Sequence, residues 1–331
     1  MSTQNRHSSL ERAADLAAVA ALLQIGVELG VDQVLDSGAA FQVGDLTKHS
    51  GLPEPGLREY LRAMTAAGLV VEADAAGWYE VAEDYPERRY EAGYVSWAMN
   101  ANHPFLHNAR SFFADADAAE RTHRRDGRRV AVSTRWMGER GFYPAIVERV
   151  SAAGALRVAD LGAGAGALLV QLLLKDTART GVALDISAAA CAASREAAAE
   201  AGVGDRLEVV EGSIESLVDD PGPIKGAEVI QACFVMHDLL QDDAMSSSVL
   251  RSCREALAPN GFMAVADAVA YAAEPSERKF SALFTHLHAN FMNVRLPEEE
   301  EWMAKFRAAG FSAVECIPLT LPGGRLFVAT K

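Results

Sequence analysis

From Leu156 onward, short apolar segments alternate with segments of helical periodicity, and this alternation constrains the fold more than any other feature of the chain. The strand-length runs are RVADLGAG, TGVALDIS, RLEVVEGS, AEVIQACFVMH and GFMAVADAV. Nearly continuous apolar strands separated by helices are typical of a parallel sheet that is covered by helices on both faces. The sequence therefore predicts an α/β domain with a Rossmann-like, doubly wound sheet over residues 151–331.

The N-terminal part of the chain has a different pattern. Over residues 41–82 the order is a short helix, a turn at Gly51-Leu52-Pro53, a second helix and two short strands around a turn. This order predicts a mainly helical winged-helix domain over residues 1–90. Residues 91–150 carry aromatic side chains in a helical pattern, which predicts a helical linker that forms either core or the roof of a substrate pocket.

The charge of the chain argues against nucleic acid as a partner of the winged helix. The formal net charge is −14, and residues 41–85 contain eight acidic residues against only Lys48, Arg58 and Arg62. Because phosphate binding depends on Lys and Arg, we interpret this domain as a packing element that forms a homodimer. A ligand-sensing regulator that binds DNA through this domain is the alternative from another functional class.

Composition also sets expectations about location. No apolar run reaches the ~20 uninterrupted residues that a membrane helix needs, so we expect no membrane association. The N-terminus lacks a basic segment followed by an apolar one, which argues against secretion. The four cysteines show no CxxC spacing, which is typical of reduced core residues. The expected location is cytoplasmic.

A glycine-rich loop follows the first strand of the predicted sheet, and the chain then enters a helix. Glycine lets the backbone pass close to a ligand and opens the N-terminus of that helix towards it. An acidic residue ends the second strand, where a carboxylate can accept hydrogen bonds from ribose hydroxyls. The residues predicted to bind the cofactor are Asp160, Gly162, Gly164, Gly166, Asp185, Ile186, Gly212, Ser213 and Cys233.

The spacing of the loop glycines distinguishes between adenosine cofactors. Dinucleotide-binding loops use GxGxxG because a pyrophosphate lies on the following helix. Here the spacing is GxGxG, and Asp160 precedes it. A carboxylate at this place repels a pyrophosphate but suits the amino group of a methionine moiety. The loop therefore favours S-adenosylmethionine.

His237 and Asp238 directly follow the apolar run that forms the fourth strand of this sheet. Methyl transfer from a sulfonium requires a nucleophile that has lost its proton, and a neutral imidazole accepts protons near pH 7. The position predicts that His237 is the catalytic base, with Asp238 beside it. A histidine that merely caps a strand end or a helix start is the alternative.

Together, VADLGAGAG, ALDIS, EGS and VMHDLLQDDA followed by LRSCREALAPNGFMAVADAV resemble the successive motifs of class I methyltransferases of the small-molecule O-methyltransferase group. The resemblance implies an enzyme of bacterial secondary metabolism that uses S-adenosylmethionine, with a winged-helix dimerisation domain and His237 as general base. Two positions depart from the family pattern. Ser213 stands where the family often has Asp, and Leu239 replaces the usual Trp.

A second set of segments, SWAMNANHPF, HRRDGRR and STRWMGERGFYPAIV, is similar to the metal-dependent 2-oxo acid C-methyltransferases of the phenylpyruvate type. This resemblance implies a divalent metal, Fe(II) or zinc, held by His237, Asp238 and either His286 or His288, of which His288 is favoured. The third ligand position of that family falls on Ala289, one residue past His288. The resemblance also implies that Arg125 holds the carboxylate of the substrate.

Two functional hypotheses follow. The first is C-methylation of a small 2-oxo acid, in which the metal acidifies the carbon that accepts the methyl group. The alternative is metal-free O-methylation of a phenolic or similar hydroxyl, with His237 as base. In both cases we expect Trp97 and Tyr143 to contact the substrate.

Overall fold

The computed structural model describes residues 3–331, with side chains from residue 12 onward. The chain divides into two compact units, Met1–Glu139 and Arg140–Lys331. The helices that begin in the first unit are α1 (Thr3–Leu29), α2 (Asp32–Asp36), α3 (Val43–Ser50), α4 (Glu54–Ala66), α5 (Tyr85–Val95), α6 (His103–His107), α7 (Ala109–Ala114), α8 (Ala116–Thr122) and α9 (Gly127–Gly141), with a π-helical segment at Ser96–Ala101. Its strands are β1 (Val70–Glu72) and β2 (Tyr79–Val81).

The segment from α3 to β2 is the winged helix that the sequence predicts. The first turn of α3 is closed by a capping box, in which the backbone N–H of Gln42 donates to the Asp45 carboxylate over 2.8 Å. The helix ends at Gly51, whose positive φ of 68° is the left-handed conformation that favours glycine. After α4, strands β1 and β2 pair antiparallel. The order of elements confirms the prediction.

A buried ion network holds α2, α5 and α9 together within the first unit. The Asp36 carboxylate lies 2.6 Å from the Arg89 guanidinium and 2.6 Å from that of Arg135, and it accepts a hydrogen bond from the Trp136 indole. Arg89 also pairs with Glu139. Since the Asp36 and Arg89 side chains are both buried, each compensates the cost of removing the other from water.

The basic segment RTHRRDGRR contributes two arginines to the same unit. Arg128 pairs with Asp32 over 3.0 Å, and Arg129 pairs with Glu28 over 2.8 Å. Burial raises the pKa of Asp32, while Arg128 and Arg135 oppose that rise. These two arginines therefore stabilise the packing of α9 against α1 and α2.

The second unit contains α10 (Tyr143–Ala152), β3 (Arg157–Leu161), α11 (Ala167–Lys175), β4 (Thr180–Asp185), α12 (Ala188–Glu200), β5 (Leu207–Glu211), β6 (Val229–Cys233), α13 (Met236–Leu239), α14 (Asp243–Ala256), β7 (Phe262–Ala268), α15 (Arg278–Phe291), α16 (Glu299–Ala308), β8 (Ala313–Pro318) and β9 (Gly324–Thr330). Short 3₁₀ turns occur at Gly204–Arg206, Ile214–Val218 and Gly222–Ile224.

The sheet of the second unit has the predicted doubly wound arrangement. Within residues 3–331 its strand order is β5-β4-β3-β6-β7-β9-β8, and the pairs from β5 to β7 are parallel. The last two strands, β9 and β8, pair antiparallel at one side. The order reverses between β3 and β6, and the crevice outside the carboxyl ends of the strands at such a point is where α/β sheets bind ligands.

Apolar packing explains why these strands are nearly continuous in hydrophobicity. Alternate residues of β3, β6 and β7 pack into a core with α14 and α16 that includes Trp302 and Phe306. The residues of the opposite face of the same strands are also buried, as expected for strands covered on both sides. In the part of the chain that the structure describes, no helix is long and apolar enough to span a membrane.

The ion network predicts a large difference between two neighbouring arginines. Replacing Arg89 by Met leaves the buried Asp36 carboxylate without the more deeply buried of its two guanidinium partners, so we expect a loss of about 3 kcal/mol or more in the free energy of unfolding of the first unit. The matched control is Arg88→Met, which removes a half-exposed pair with Asp84 and should cost less than about 1 kcal/mol. Thermal unfolding followed by circular dichroism measures both variants. Equal midpoints for the two variants would contradict the network's role.

Candidate active site

The glycine loop after β3 is shaped by positive backbone angles and by a close approach. Gly162, Gly164 and Gly166 have φ values of 70°, 56° and 74°. A Cβ atom on Gly162 would lie 2.8 Å from a methyl group of Val235, which is closer than real Cβ atoms come to their neighbours. Glycine at this position therefore allows the loop to lie against the segment that leaves β6.

Asp185, at the end of β4, is tied to the glycine loop. One carboxylate oxygen accepts a hydrogen bond from the Gly164 N–H over 2.8 Å, and the other accepts one from the Ser187 N–H over 2.9 Å. Each oxygen of a carboxylate has two lone pairs, so capacity remains for ribose hydroxyls. Beside it the Ile186 side chain is 74% exposed, an apolar surface at the edge of this crevice.

The end of β5 lies next to the end of β4. The Gly212 N–H donates to the carbonyl of Asp185 over 2.9 Å, which brings the ends of β4 and β5 together. The Ser213 hydroxyl accepts a hydrogen bond from the Ser216 N–H over 3.3 Å and caps the following 3₁₀ turn. The structure thus assigns a local capping role to the serine that departs from the family pattern.

Asp160 is buried at the base of the glycine loop. Its pKa is raised to about 7, mainly because burial disfavours the charged carboxylate and further because Asp185 is close, whereas Gln231 partly opposes the rise. Nearby, burial raises the pKa of the Cys233 thiol, with additional contributions from Asp160 and Asp267. A cation bound at this place would favour the charged form of Asp160.

The chain turns sharply between β6 and α13. Phe234 has a φ of +54°, a left-handed conformation that is uncommon for a non-glycine residue and is found mainly where the surrounding structure imposes it. Three residues later His237 lies in α13 and is only 4% exposed. The position confirms that His237 follows the β6 exit on a helical turn, and it places the imidazole inside the protein.

A buried carboxylate on β7 orients His237. The Asp267 Oδ1 atom lies 2.6 Å from His237 Nδ1, and its Oδ2 atom accepts a hydrogen bond from the His237 backbone N–H over 3.1 Å. The Ala268 N–H donates to Oδ1 over 2.7 Å. The carboxylate of Asp267 is an acceptor, so we assign the proton to His237 Nδ1, which donates a hydrogen bond to Asp267. His237 Nε2 is then the basic nitrogen of the imidazole.

Asp267 was not among the residues predicted from the sequence. The signal was present, since an aspartate within the apolar run GFMAVADAV must be buried if that run is an internal strand, and buried carboxylates require partners. What the sequence does not provide is the partner, because His237 is thirty positions away. The pairing of β6 with β7 brings the two together.

Asp238 takes a different position from its neighbour. Its side chain is 68% exposed, and its Oδ1 atom lies 3.7 Å from His237 Nε2. This distance is longer than a hydrogen bond. Of the two predicted catalytic residues, His237 is buried in the crevice and Asp238 lies at its exposed margin.

Helix α15 places one of its two histidines beside His237. The His237 and His288 rings are 5.0 Å apart at an interplanar angle of 86°, and His288 Nδ1 lies 2.8 Å from the Phe284 carbonyl oxygen. His288 also stacks on the Phe284 ring at 4.1 Å. His286 is exposed and contacts Asn290. The helical periodicity therefore directs His288, and not His286, towards His237.

Aromatic rings extend this surface within the second unit. Phe234 contacts Phe142 at 4.9 Å and Phe284 at 6.2 Å between ring centroids. Tyr143 lies edge to face against Phe142 at 4.9 Å. Such rings offer apolar faces to a planar ligand. Tyr143 is thus connected to the cluster that surrounds His237.

Gln241 connects the segment that carries His237 with the segment that follows His288. The Gln241 amide donates to the carbonyl of His237 over 2.8 Å and to that of Arg295 over 3.1 Å, and its oxygen accepts from the Arg295 N–H over 2.9 Å. The segment at Arg295 follows α15, whose end is closed by a hydrogen bond from the Val294 N–H to the His288 carbonyl. Gln241 therefore links the position of His237 to that of His288.

The remaining predicted substrate residues belong to the first unit. Trp97 is buried in the π-helical segment. The Arg125 guanidinium lies 5.5 Å from the centroid of the Phe105 ring, a cation–π geometry. Their roles in substrate binding stay predictions.

The predicted metal triad consists of His237, Asp238 and His288. Among residues 12–331, no group of three or more His, Cys, Asp or Glu side chains is placed to hold a metal ion. The side chain of Asp238 is 68% exposed, and its Oδ1 atom lies 3.7 Å from His237 Nε2. This geometry does not support a triad of His237, Asp238 and His288.

The crevice does fit S-adenosylmethionine. The loop with three positive φ angles opens onto α11, Asp185 lies at the switch point, and Asp160 supplies a buried carboxylate at the base. The elements that carry this site and those that carry His237 touch at Gly162 and Val235. The loop predicted to bind the cofactor and the segment that carries the predicted base are therefore adjacent.

Comparison with known proteins agrees with this geometry. Residues 159–263 match a family model described as a methyltransferase domain. The match covers the glycine loop, Asp185, the β6 exit and His237. This part of the chain resembles methyltransferase domains, which supports the prediction of an S-adenosylmethionine-dependent methyltransferase.

Two curated relatives align with about half of this chain. Phenazine O-methyltransferase PhzM from Lysobacter antibioticus is 32% identical over 165 residues, which cover 49% of this chain and 44% of that protein. Aclacinomycin 10-hydroxylase RdmB from Streptomyces purpurascens is 30% identical over 155 residues, 47% of this chain and 39% of that protein. The chain thus aligns with less than half the length of either relative.

A solved structure, PigF with SAH, shares the whole fold. It covers 100% of both chains with a TM-score of 0.59 and 19% sequence identity. This likeness confirms the class I methyltransferase fold with an N-terminal helical domain. The comparisons give no support to the second resemblance, that to metal-dependent 2-oxo acid C-methyltransferases.

The raised pKa of Asp160 predicts a pH dependence for cofactor binding. Below about pH 7 this carboxyl is protonated, so the ammonium group of S-adenosylhomocysteine meets a neutral partner. Binding then requires release of a proton, and we expect affinity to fall by up to tenfold for each pH unit below about 7 and to be constant above it. Calorimetric titration between pH 5.5 and 8.5 measures this profile.

The controls separate Asp160 from other titrating groups. Asp160→Asn should bind more weakly than the wild type at pH 8 and show a flat profile. Methylthioadenosine, which lacks the amino-acid end, should show a flat profile with the wild-type protein. A wild-type profile that is flat for S-adenosylhomocysteine would contradict the assignment.

Proposed function

We propose that this protein is an S-adenosylmethionine-dependent O-methyltransferase that methylates a hydroxyl group of a small molecule, with His237 as general base. The observation that carries the proposal is the buried pair of His237 and Asp267 next to the glycine loop. A base held by a carboxylate is the arrangement that activates a hydroxyl nucleophile. The match of the domain to methyltransferases supports the same conclusion.

The protein's part in the reaction is proton removal and positioning. S-adenosylmethionine, when bound, supplies an activated methyl group on a sulfonium. Asp267 holds the Nδ1 proton of His237, so Nε2 accepts the proton of the substrate hydroxyl as the oxygen attacks. Burial of His237 and Asp267 strengthens their interaction because the surroundings have a low effective dielectric.

The rings beside the base suggest the kind of substrate. Phe142, Phe234 and Phe284 form a chain of contacts that ends at His237 and His288, which suits a planar ring carrying the hydroxyl. We propose that Tyr143 contributes to this surface and that residues 91–150 supply further substrate contacts, with Trp97 and Arg125 among them. The names of two relatives, an aclacinomycin 10-hydroxylase and a phenazine O-methyltransferase, support a role in secondary metabolism.

The remaining organisation is proposed from the sequence. Residues 1–90 form a dimerisation domain, residues 91–150 a linker, and residues 151–331 the S-adenosylmethionine-binding catalytic domain. The acidic balance of the winged helix supports a protein partner, namely a second copy of the chain, over DNA.

Two aspartates next to His237 give a direct test of the base. Asp267→Asn replaces the acceptor of the Nδ1 proton, and we expect kcat to fall by about 10²-fold or more. Asp238→Asn alters an exposed carboxylate and should change kcat less than about fivefold. Transfer of a labelled methyl group from S-adenosylmethionine to a panel of phenolic acceptors measures both, with S-adenosylhomocysteine binding as a check on folding. A larger loss with Asp238→Asn would overturn this mechanism and favour the triad.

A chelator provides an independent test. Because His237 is oriented by Asp267 and acts through a proton transfer, we expect turnover to be unchanged after dialysis against EDTA and after addition of Fe(II) or Zn²⁺. Turnover is measured with the same labelled methyl assay before and after dialysis. Loss of activity on dialysis with recovery by one metal would instead support metal-assisted transfer.

A further inference from the structure

Gln231 is a fully buried amide without a complete hydrogen bond. It lies in the middle of β6, its exposed fraction is 0%, and neither Nε2 nor Oε1 has a hydrogen-bond partner in the protein. Buried polar atoms without partners are uncommon in folded proteins, and each destabilises the fold relative to a satisfied one.

The register of the sheet places Gln231 beside the cofactor crevice. Its Cα is paired with that of Asp160 on β3, and residues paired in this way in parallel strands direct their side chains to the same face. The amide is near enough to lower the pKa of the Asp160 carboxyl, although not in the geometry of a full hydrogen bond. Gln231 and Asp160 therefore form one buried polar pair.

The neighbours of this pair leave its polar atoms without other partners. In the same row across the sheet, Ala183 flanks Asp160 on β4 and Ala264 flanks Gln231 on β7. Neither methyl side chain can donate or accept a hydrogen bond. The row also lies close to the glycine loop, because Gly162 is two residues after Asp160. The unpartnered amide is thus at the buried end of the cofactor crevice.

We propose that Gln231 is a cofactor-positioning residue that, together with Asp160, binds the amino-acid end of S-adenosylmethionine. This inference rests on the proposed function. The ammonium group of the methionine moiety has three N–H donors, and Asp160 and the Oε1 atom of Gln231 can accept hydrogen bonds from them. The Nε2 atom of Gln231 can donate to the carboxylate of the same moiety. The cofactor then satisfies the amide that the protein alone leaves without partners.

The proposal predicts opposite effects on stability and on binding. Gln231→Leu removes two unsatisfied buried polar atoms at similar volume, so the free protein should unfold at the same or a higher temperature. The same variant should bind S-adenosylhomocysteine about tenfold or more weakly, because a hydrogen bond to a charged group is lost. Binding of methylthioadenosine, which lacks the amino-acid end, should change less than twofold.

The measurements are calorimetric titration with both ligands and thermal unfolding of the ligand-free protein. Gln171→Leu, the same change at an exposed position of α11, is the matched control and should leave both affinities unchanged. Gln231→Met provides a second variant with a flexible side chain of similar size, should the branched leucine prevent folding. Its binding is expected to follow that of Gln231→Leu.

The outcomes are distinguishable. If the variants lose stability and bind S-adenosylhomocysteine like the wild type, Gln231 has a purely structural role and the proposal is wrong. Equal losses of affinity for S-adenosylhomocysteine and methylthioadenosine would show that Gln231 supports the crevice as a whole. That result would also overturn the proposal. If the wild-type protein binds neither ligand, the failure is that of the proposed function and not of this assignment alone.

Discussion

The arrangement of the site depends on one close approach, between the glycine loop after β3 and the segment that leaves β6. Gly162 permits this approach because a Cβ atom there would lie 2.8 Å from Val235. The loop predicted to bind the cofactor and the turn that carries His237 are consequently fixed relative to each other. In-line methyl transfer demands this kind of placement, since donor and acceptor must be aligned within a few tenths of an ångström.

Buried polar groups surround this contact in an otherwise apolar sheet. Asp160 and Gln231 occupy neighbouring positions on β3 and β6, and Asp267 lies on β7 with His237 against it. Each is costly to bury, and in the proposed function each contacts the cofactor or takes part in proton transfer from the substrate. These polar groups lower the stability of the sheet interior, and burial determines their protonation and hydrogen bonding.

Much of the fold was predictable because it depends on local patterns. Apolar runs separated by helical segments predicted the parallel sheet, and the helix, turn, helix and hairpin order predicted the winged helix. The glycine spacing and the last residue of β4, Asp185, predicted the cofactor crevice. His237 was found because it directly follows an apolar run. Each of these features can be recognised from a short, continuous segment of the sequence.

What the sequence alone determined was the identity of the chemistry, namely a glycine loop with an adjacent carboxylate and a histidine at a strand exit. Only the tertiary structure decided the partners. The pairing of β6 with β7 gives His237 the carboxylate of Asp267, while Asp238, its neighbour in sequence, faces solvent. The turn of α15 brings His288 to the base and leaves His286 outside. Local patterns specify elements, but which distant side chains meet depends on strand order, register and helix rotation, which short-range sequence does not encode.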